Sequence, residues 1–119
     1  AKAIVAALSG DYLEIWGDGL NRKDYIHVDD VASAFKNAIE CITLESGFYN
    51  VGCGYSLSSQ EIVRMVEKVL GVSIKVRNLE AREFDVKNIC LNSDLFKSRT
   101  GWQPVWKLEE GIKQMAEQI

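Results

Sequence analysis

The 119-residue chain is 47% hydrophobic, 9% aromatic and 26% charged, the balance of a folded chain rather than a disordered one. Fourteen Lys and Arg against seventeen Asp and Glu leave a net charge of −3, which argues against nucleic acid as a partner because the basic stripe that it needs is missing. The longest unbroken apolar run, Ala3 to Leu8, is far short of the roughly 20 residues that span a bilayer, and no secretory cleavage pattern accompanies it, so the expectation is a cytoplasmic chain with no membrane partner.

Ala1 to Leu8 is a helix-like run with no N-cap residue ahead of it, which reads as a cut inside a helix. Leu13, Ile15 and Trp16 predict a short strand that stops at the Gly17-Asp18-Gly19 turn. Tyr25 to Val28 predicts a second strand. Asp29 follows as the expected N-cap of a helix whose apolar residues Val31, Ala32, Phe35, Ala38, Ile39 and Ile42 fall at helical spacing. After Gly47, Phe48 to Val51 predicts a third strand, turned by Gly52-Cys53-Gly54. Ser58 and Glu61 form an S-x-x-E capping box for a helix over Ser59 to Leu70, stopped by Gly71. Val72 to Val76 alternates like a strand, Asn78 to Lys87 reads as a polar loop, and Ile89 to Leu91 as another short strand. A short helix is expected from Asp94 to just before Gly101, and a final one over about Leu108 to Ile119, with Glu109 and Glu110 at its positive end. With no repeat or linker, residues 1–119 read as a single unit of α/β class, a small mixed sheet with about four helices.

Complete catalytic machinery is not legible. His27, the single histidine, reads as a hydrogen-bonded residue at a strand end rather than a general base. Cys41, Cys53 and Cys90 are too scattered, with one histidine, to supply the four or so ligands of a structural zinc site, so no metal is expected and buried free thiols are. Adjacent carboxylates Asp29 and Asp30, and Glu109 and Glu110, do not face each other on a helix and read as caps and dipole partners. Gly17-Asp18-Gly19 is followed by Leu, Asn and Arg, so it does not make a G-x-G-x-x-G loop. Anion binding is the better prospect. Arg22 and Lys23 follow the glycine turn, and Arg82 and Lys87 lie in the polar stretch; whether these cations converge or are merely solvated is open at this level.

The run from Gly17 through Ala32, GDGLNRKDYIHVDDVA, resembles the GDG-x-x-x-RD-[FY]-[IV]-HV-x-D-[VL]-A segment of the extended short-chain dehydrogenases, the NAD(P)-dependent nucleotide-sugar epimerases and dehydratases. The resemblance continues in order through Tyr49 to Gly54, Ser58 with Glu61 and Ile62, Arg82 with Asp85, Gly101-Trp102 with Pro104, and Leu108 to Ile112. It covers nearly the whole chain from Trp16 onward.

That resemblance implies the C-terminal, substrate-binding part of a Rossmann-type epimerase, lacking the glycine-rich half that holds NAD or NADP and the catalytic Tyr-x-x-x-Lys pair. No cofactor is then expected to bind this chain alone, and no catalytic residue is assigned in it. The ligand implied is a nucleotide-diphosphate sugar. Lys23 stands where the family has arginine, Arg82 matches the arginine that commonly contacts the diphosphate, and Asp85 the acid that meets the ribose hydroxyls. Strand alternation turns Arg22 away from Lys23. The family's R-P-G-D reads Arg82-Glu83-Phe84-Asp85 here, and its D-x-S-K reads Asn92-Ser93-Asp94-Leu95, leaving a cap at Asp94. Epimerase, dehydratase and reductase remain open, as does a stand-alone, non-catalytic binding or interaction domain on the same scaffold. The resemblance also implies that the Tyr25 to Ile42 segment packs on the nucleotide-binding half, so that this chain alone would self-associate through an apolar patch.

Overall fold

The longer helices form where apolar residues recur at helical spacing. A computed structural model describes residues 1–119 as α1 (Lys2–Ser9), β1 (Tyr12–Trp16), β2 (Arg22–Asp24), α2 (Val28–Glu40), β3 (Ser56–Ser58), α3 (Ser59–Leu70), β4 (Lys75–Leu79), α4 (Asp94–Thr100) and α5 (Leu108–Glu117). The class is mixed α/β, with five helices and two small sheets. Strand β1 pairs in parallel with β4, Tyr12 opposite Lys75 through Trp16 opposite Leu79, and β2 pairs antiparallel with β3.

The α3 boundaries match the sequence reading because every signal there is local. Ser58 Oγ accepts the Glu61 N–H, Glu61 Oε2 accepts the Ser58 N–H, and Gly71 ends the helix at φ 68°, where only glycine is unstrained. The Ser58 backbone and side-chain hydrogen bonds, with the Arg22 guanidinium, hold the Glu61 carboxyl below its ordinary pKa. A depressed carboxyl stabilises the fold above its unfolded pKa of about 4.3, and that contribution is lost as pH falls through the lower folded value. Acid titration of urea unfolding should therefore show stability falling between about pH 5 and pH 3, more steeply for the native chain than for Glu61→Gln. Parallel curves would show that the box is not coupled to folding.

Three strands depart from the reading. Tyr25 to Val28 is not a strand: β2 lies three residues earlier, and Val28 already opens α2. Phe48 to Val51 and Ile89 to Leu91 also form no strand; just ahead of the second, Asn88 makes one isolated bridge to Arg22, whose carbonyl accepts the Ile89 N–H. Strands need ladder partners, and the first two of these segments instead place apolar side chains on a core. Ile26, Tyr49 and Val51 pack against a small cluster of Ala34, Phe96 and Trp102. The strand expected at Val72 to Val76 begins only at Lys75, because Val72 and Ile74 are still tied to α3 through hydrogen bonds to Glu67.

The larger core joins α1, β1, α3 and α5 through Ile4, Leu13, Ile15, Val63, Val66, Ile74 and Ile112. The two cores are stapled to their loops by carboxylates and hydroxyls that the sequence reading did not single out. Asp24 accepts from the Cys53, Gly54 and Leu91 N–H groups at 2.9, 3.1 and 3.3 Å. Gly52 lies against that carboxylate so closely that a Cβ would meet Asp24 Oδ2 and Leu91 Cβ at 2.8 Å. Ser93 bridges the same turn, donating to the Gly52 carbonyl and accepting its N–H. Ser93, not Asp94, is therefore the residue before α4; its hydroxyl is committed to Gly52, and Asn92 Oδ1 accepts the Asp94 N–H instead.

Candidate functional site

Each cation of the sequence reading has a different fate. Arg22 and Lys23 alternate across β2, as expected. Arg22 is held by Glu61 at 2.8 Å and donates to the Ser56 carbonyl, so it joins β2 to β3 and α3 rather than serving a ligand. Lys23 is exposed on the opposite side, on a groove of about 700 Å³ between α1, β1 and the loops. The same groove is lined by Trp16, Tyr25, Arg82 and Asp85. The tertiary structure thus brings Lys23, Arg82 and Asp85 to one surface. Lys87 has its backbone carbonyl on the Arg22 N–H and does not line that groove.

Arg82 and Asp85 are directly paired. The guanidinium donates through Nε at 3.0 Å and one Nη at 2.8 Å to the two carboxylate oxygens, across a turn closed by the Asp85 N–H on the Arg82 carbonyl. Two of the five guanidinium N–H groups are used, leaving three for a ligand. The guanidinium carbon also sits over the Trp16 ring at 4.9 Å and the Phe84 ring at 5.2 Å. Sequence reading missed these aromatic contacts; the Arg–Asp pairing had a signal in the three-residue spacing, which places both side chains on one side of a turn. Burial pushes the Tyr25 phenol above its ordinary pKa, partly offset by a hydrogen bond from Ser59, so the groove presents it protonated.

The remaining polar residues do structural work. His27 is the N-cap of α2, not a strand residue, and it displaces Asp29 from that role: its Nδ1 accepts the Asp29 N–H. With Nδ1 an acceptor, the proton belongs on Nε2, which faces Gln114 Oε1 at 2.9 Å. The ring stacks on Trp106 at 4.0 Å and lies against Gly111 of α5, where a Cβ would come within 2.9 Å of it. Both nitrogens and one face are occupied, which leaves no general base. Asp30 is not an exposed dipole partner. It is 1% exposed and accepts the Val105 and Trp106 N–H groups at 2.9 and 3.1 Å. Its carbonyl and Ser33 Oγ accept the Trp102 indole N–H. The widely separated HVDD and GWxP motifs are therefore a packing pair.

The cysteines are not buried as a class: Cys90 is exposed, and Cys41 and Cys53 are half-buried. Burial and the neighbouring Asp24 carboxylate push the Cys53 thiol up to about 11, and its Sγ donates to the Tyr25 carbonyl at 3.0 Å. A thiol so held is protonated at neutral pH and is a poor nucleophile.

Comparisons with known proteins bear on the family and the fold. Residues 1–52 match the NAD dependent epimerase/dehydratase family. The chain is 32% identical over 104 residues to the UDP-glucose 4-epimerase of Drosophila melanogaster, covering 84% of this chain and 29% of that one. It superposes on the UDP-glucose 4-epimerase of Thermotoga maritima solved with UDP-glucose, with a TM-score of 0.89 and 29% identity, over 97% of this chain and 37% of that one. MoeE5 in complex with UDP-glucuronic acid and NAD gives a TM-score of 0.90 and 30% identity, over 97% and 38% respectively. The chain spans about a third of the length of the curated relatives it matches, 36% and 29% of the first two. With that identity over most of its length and a fold that superposes on solved members, the chain belongs to the NAD-dependent epimerase/dehydratase family.

Proposed function

We propose that this chain is the nucleotide-sugar-binding, C-terminal part of an NAD- or NADP-dependent nucleotide-sugar epimerase or dehydratase. The observation that carries the reading is the convergence of Lys23, Arg82 and Asp85 on one groove from distant parts of the sequence. Arg82 and Lys23 would neutralise about two phosphate charges through charge-assisted hydrogen bonds, and Asp85 would accept from sugar hydroxyls. Relatives solved with UDP-glucose and UDP-glucuronic acid support a ligand of this class.

The residues present do not fit the cofactor itself. A dinucleotide pyrophosphate is held by a glycine turn that opens a helix. Here Gly17 and Gly19, at φ 74° and 76°, lead into strand β2. No step of hydride transfer is therefore assigned to this chain. Its part is to bind and orient the diphosphate end of the substrate. Calorimetry of the protein carrying this chain with UDP-, dTDP- and GDP-sugars should show saturable binding of at least one; absence of heat with all three overturns the reading.

The outer face of α2 bears on partners. Val28, Phe35 and Ile39 of α2 recur at helical spacing and are 72%, 68% and 82% exposed, and Ile42, which the sequence puts in the helix but which lies in the turn just past its end at Glu40, is 98% exposed. In a protein of its relatives' length, the rest of the chain covers this stripe. The 119 residues on their own should self-associate through it, with light-scattering mass rising with concentration, and Phe35→Ser with Ile39→Ser should reduce that rise. A strictly monomeric species at high concentration defeats the expectation.

A further inference from the structure

Residues 80–91 carry Arg82 and Asp85, yet neither core anchors them. None of Ala81, Phe84, Val86, Ile89 and Leu91 packs against a core cluster, and Phe84, Val86 and Ile89 are exposed. Every hydrogen bond from this segment to the rest of the chain ends on β2 or β3. The Lys87 carbonyl accepts the Arg22 N–H at 2.8 Å, and the Ile89 N–H donates to the Arg22 carbonyl at 2.9 Å. The Leu91 N–H donates to Asp24 Oδ2 at 3.3 Å, and Asn88 Oδ1 accepts from the Ser56 hydroxyl at 2.9 Å. Lys23 lies between Arg22 and Asp24 on β2, so the bonds that hold the segment also fix Lys23 relative to Arg82 and Asp85.

We propose that Asp24 is a positioning residue of the nucleotide-sugar site, holding residues 82–91 in register with β2 through Leu91 so that Arg82 and Asp85 meet Lys23 on one groove. The inference rests on the nucleotide-sugar reading and adds to it a residue that does not line the groove. Strand alternation points Asp24 away from the side of β2 that Lys23 occupies. Its carboxylate gathers two segments there: Leu91 from the 80–91 stretch, and the Cys53 and Gly54 N–H groups of the turn that leads into β3. A diphosphate bridging Lys23 and Arg82 depends on their separation, because charge-assisted hydrogen bonds close at about 2.7–2.9 Å and a misplacement of about 1 Å forfeits one of them. With the Leu91 N–H released, the segment loses its tie nearest the C-terminal end of β2, and Arg82 loses its fixed distance from Lys23.

The test is a double-mutant cycle, with Kd measured by calorimetry on the protein carrying this chain for the tightest binder among UDP-, dTDP- and GDP-glucose. Asp24→Ala should weaken binding about tenfold in the native background but about twofold at most in Arg82→Ala, because the placement of an absent guanidinium no longer matters. A residue that only stabilises the fold shows no such dependence. Asp24→Asn, which can keep its oxygen on the Gly54 and Leu91 N–H groups, should recover most of the affinity. Asn88→Ala, at an exposed position, removes the Ser56 tie of the same segment and should cost about threefold. Native affinity in Asp24→Ala, or an equal loss with and without Arg82, overturns the positioning role while leaving the nucleotide-sugar reading standing. Should Asp24→Ala not fold, native affinity in Asn88→Ala overturns it in the same way. A native protein that binds none of the three overturns both.

Discussion

Asp30→Ala should destabilise the fold by about 2–4 kcal/mol, read as a lower urea midpoint with an unchanged slope. The carboxylate is almost wholly buried and receives the consecutive Val105 and Trp106 N–H groups, while the same residue's carbonyl receives the Trp102 indole. Hydrogen bonds to charged groups contribute about 1.5–3 kcal/mol each, and alanine would leave both amides without their acceptor. The loss propagates, because those amides hold the segment that stacks Trp106 on His27 and seats Trp102 between Ala34 and Phe96. A domain of this size has only about 5–15 kcal/mol in hand, so the change is a large fraction of its stability. Asp30→Asn should fall between, since the amide keeps one acceptor oxygen and turns a donor toward the other N–H. A midpoint for Asp30→Ala indistinguishable from the native one would mean that the 102–106 segment is held by its tryptophans alone.

Arg82→Ala should weaken nucleotide-sugar binding by about 1–3 kcal/mol, roughly 5- to 150-fold in Kd. Two effects add. The three N–H groups left free by Asp85 are lost to the phosphates, and the Asp85 carboxylate is left unpaired beside an anionic ligand. Arg82→Lys keeps the charge without the fork and should recover part of the loss. The decisive comparison is Arg22→Ala. Arg22 is as charged as Arg82, but it is committed to Glu61 and Ser56, so its removal should lower stability and leave the affinity of the folded protein close to native. Equal affinities for native and Arg82→Ala protein would remove Arg82 from the binding surface.

The two arginines show where sequence reasoning reaches and where it stops. Alternation along a strand is enough to separate Arg22 from Lys23, and a motif resemblance is enough to single out Arg82 and Asp85. Neither reveals that Asp85 grips Arg82, that two aromatic rings lie against it, or that Arg22 is bound to Glu61, because those partners are set by how β2, β3 and the 82–85 turn are brought together. Asp30 makes the same point. Next to Asp29 at a helix start it looks like a dipole partner, and only its buried position over the 105–106 backbone makes it a staple.

What the sequence determined by itself is the set of helices, the glycine stops of α3 and α4, the α3 capping box and the family, because helical hydrogen bonds and caps join residues three or four apart and leave a local signature. The strands at 25–28, 48–51 and 89–91 were misplaced for the complementary reason. A strand exists only when a distant segment supplies its ladder, and that choice is made by tertiary packing. The tertiary structure also decided which charges are structural and which face the groove: Arg22, Asp24, Asp30 and His27 are absorbed into the scaffold, while Lys23, Arg82 and Asp85 meet on one surface.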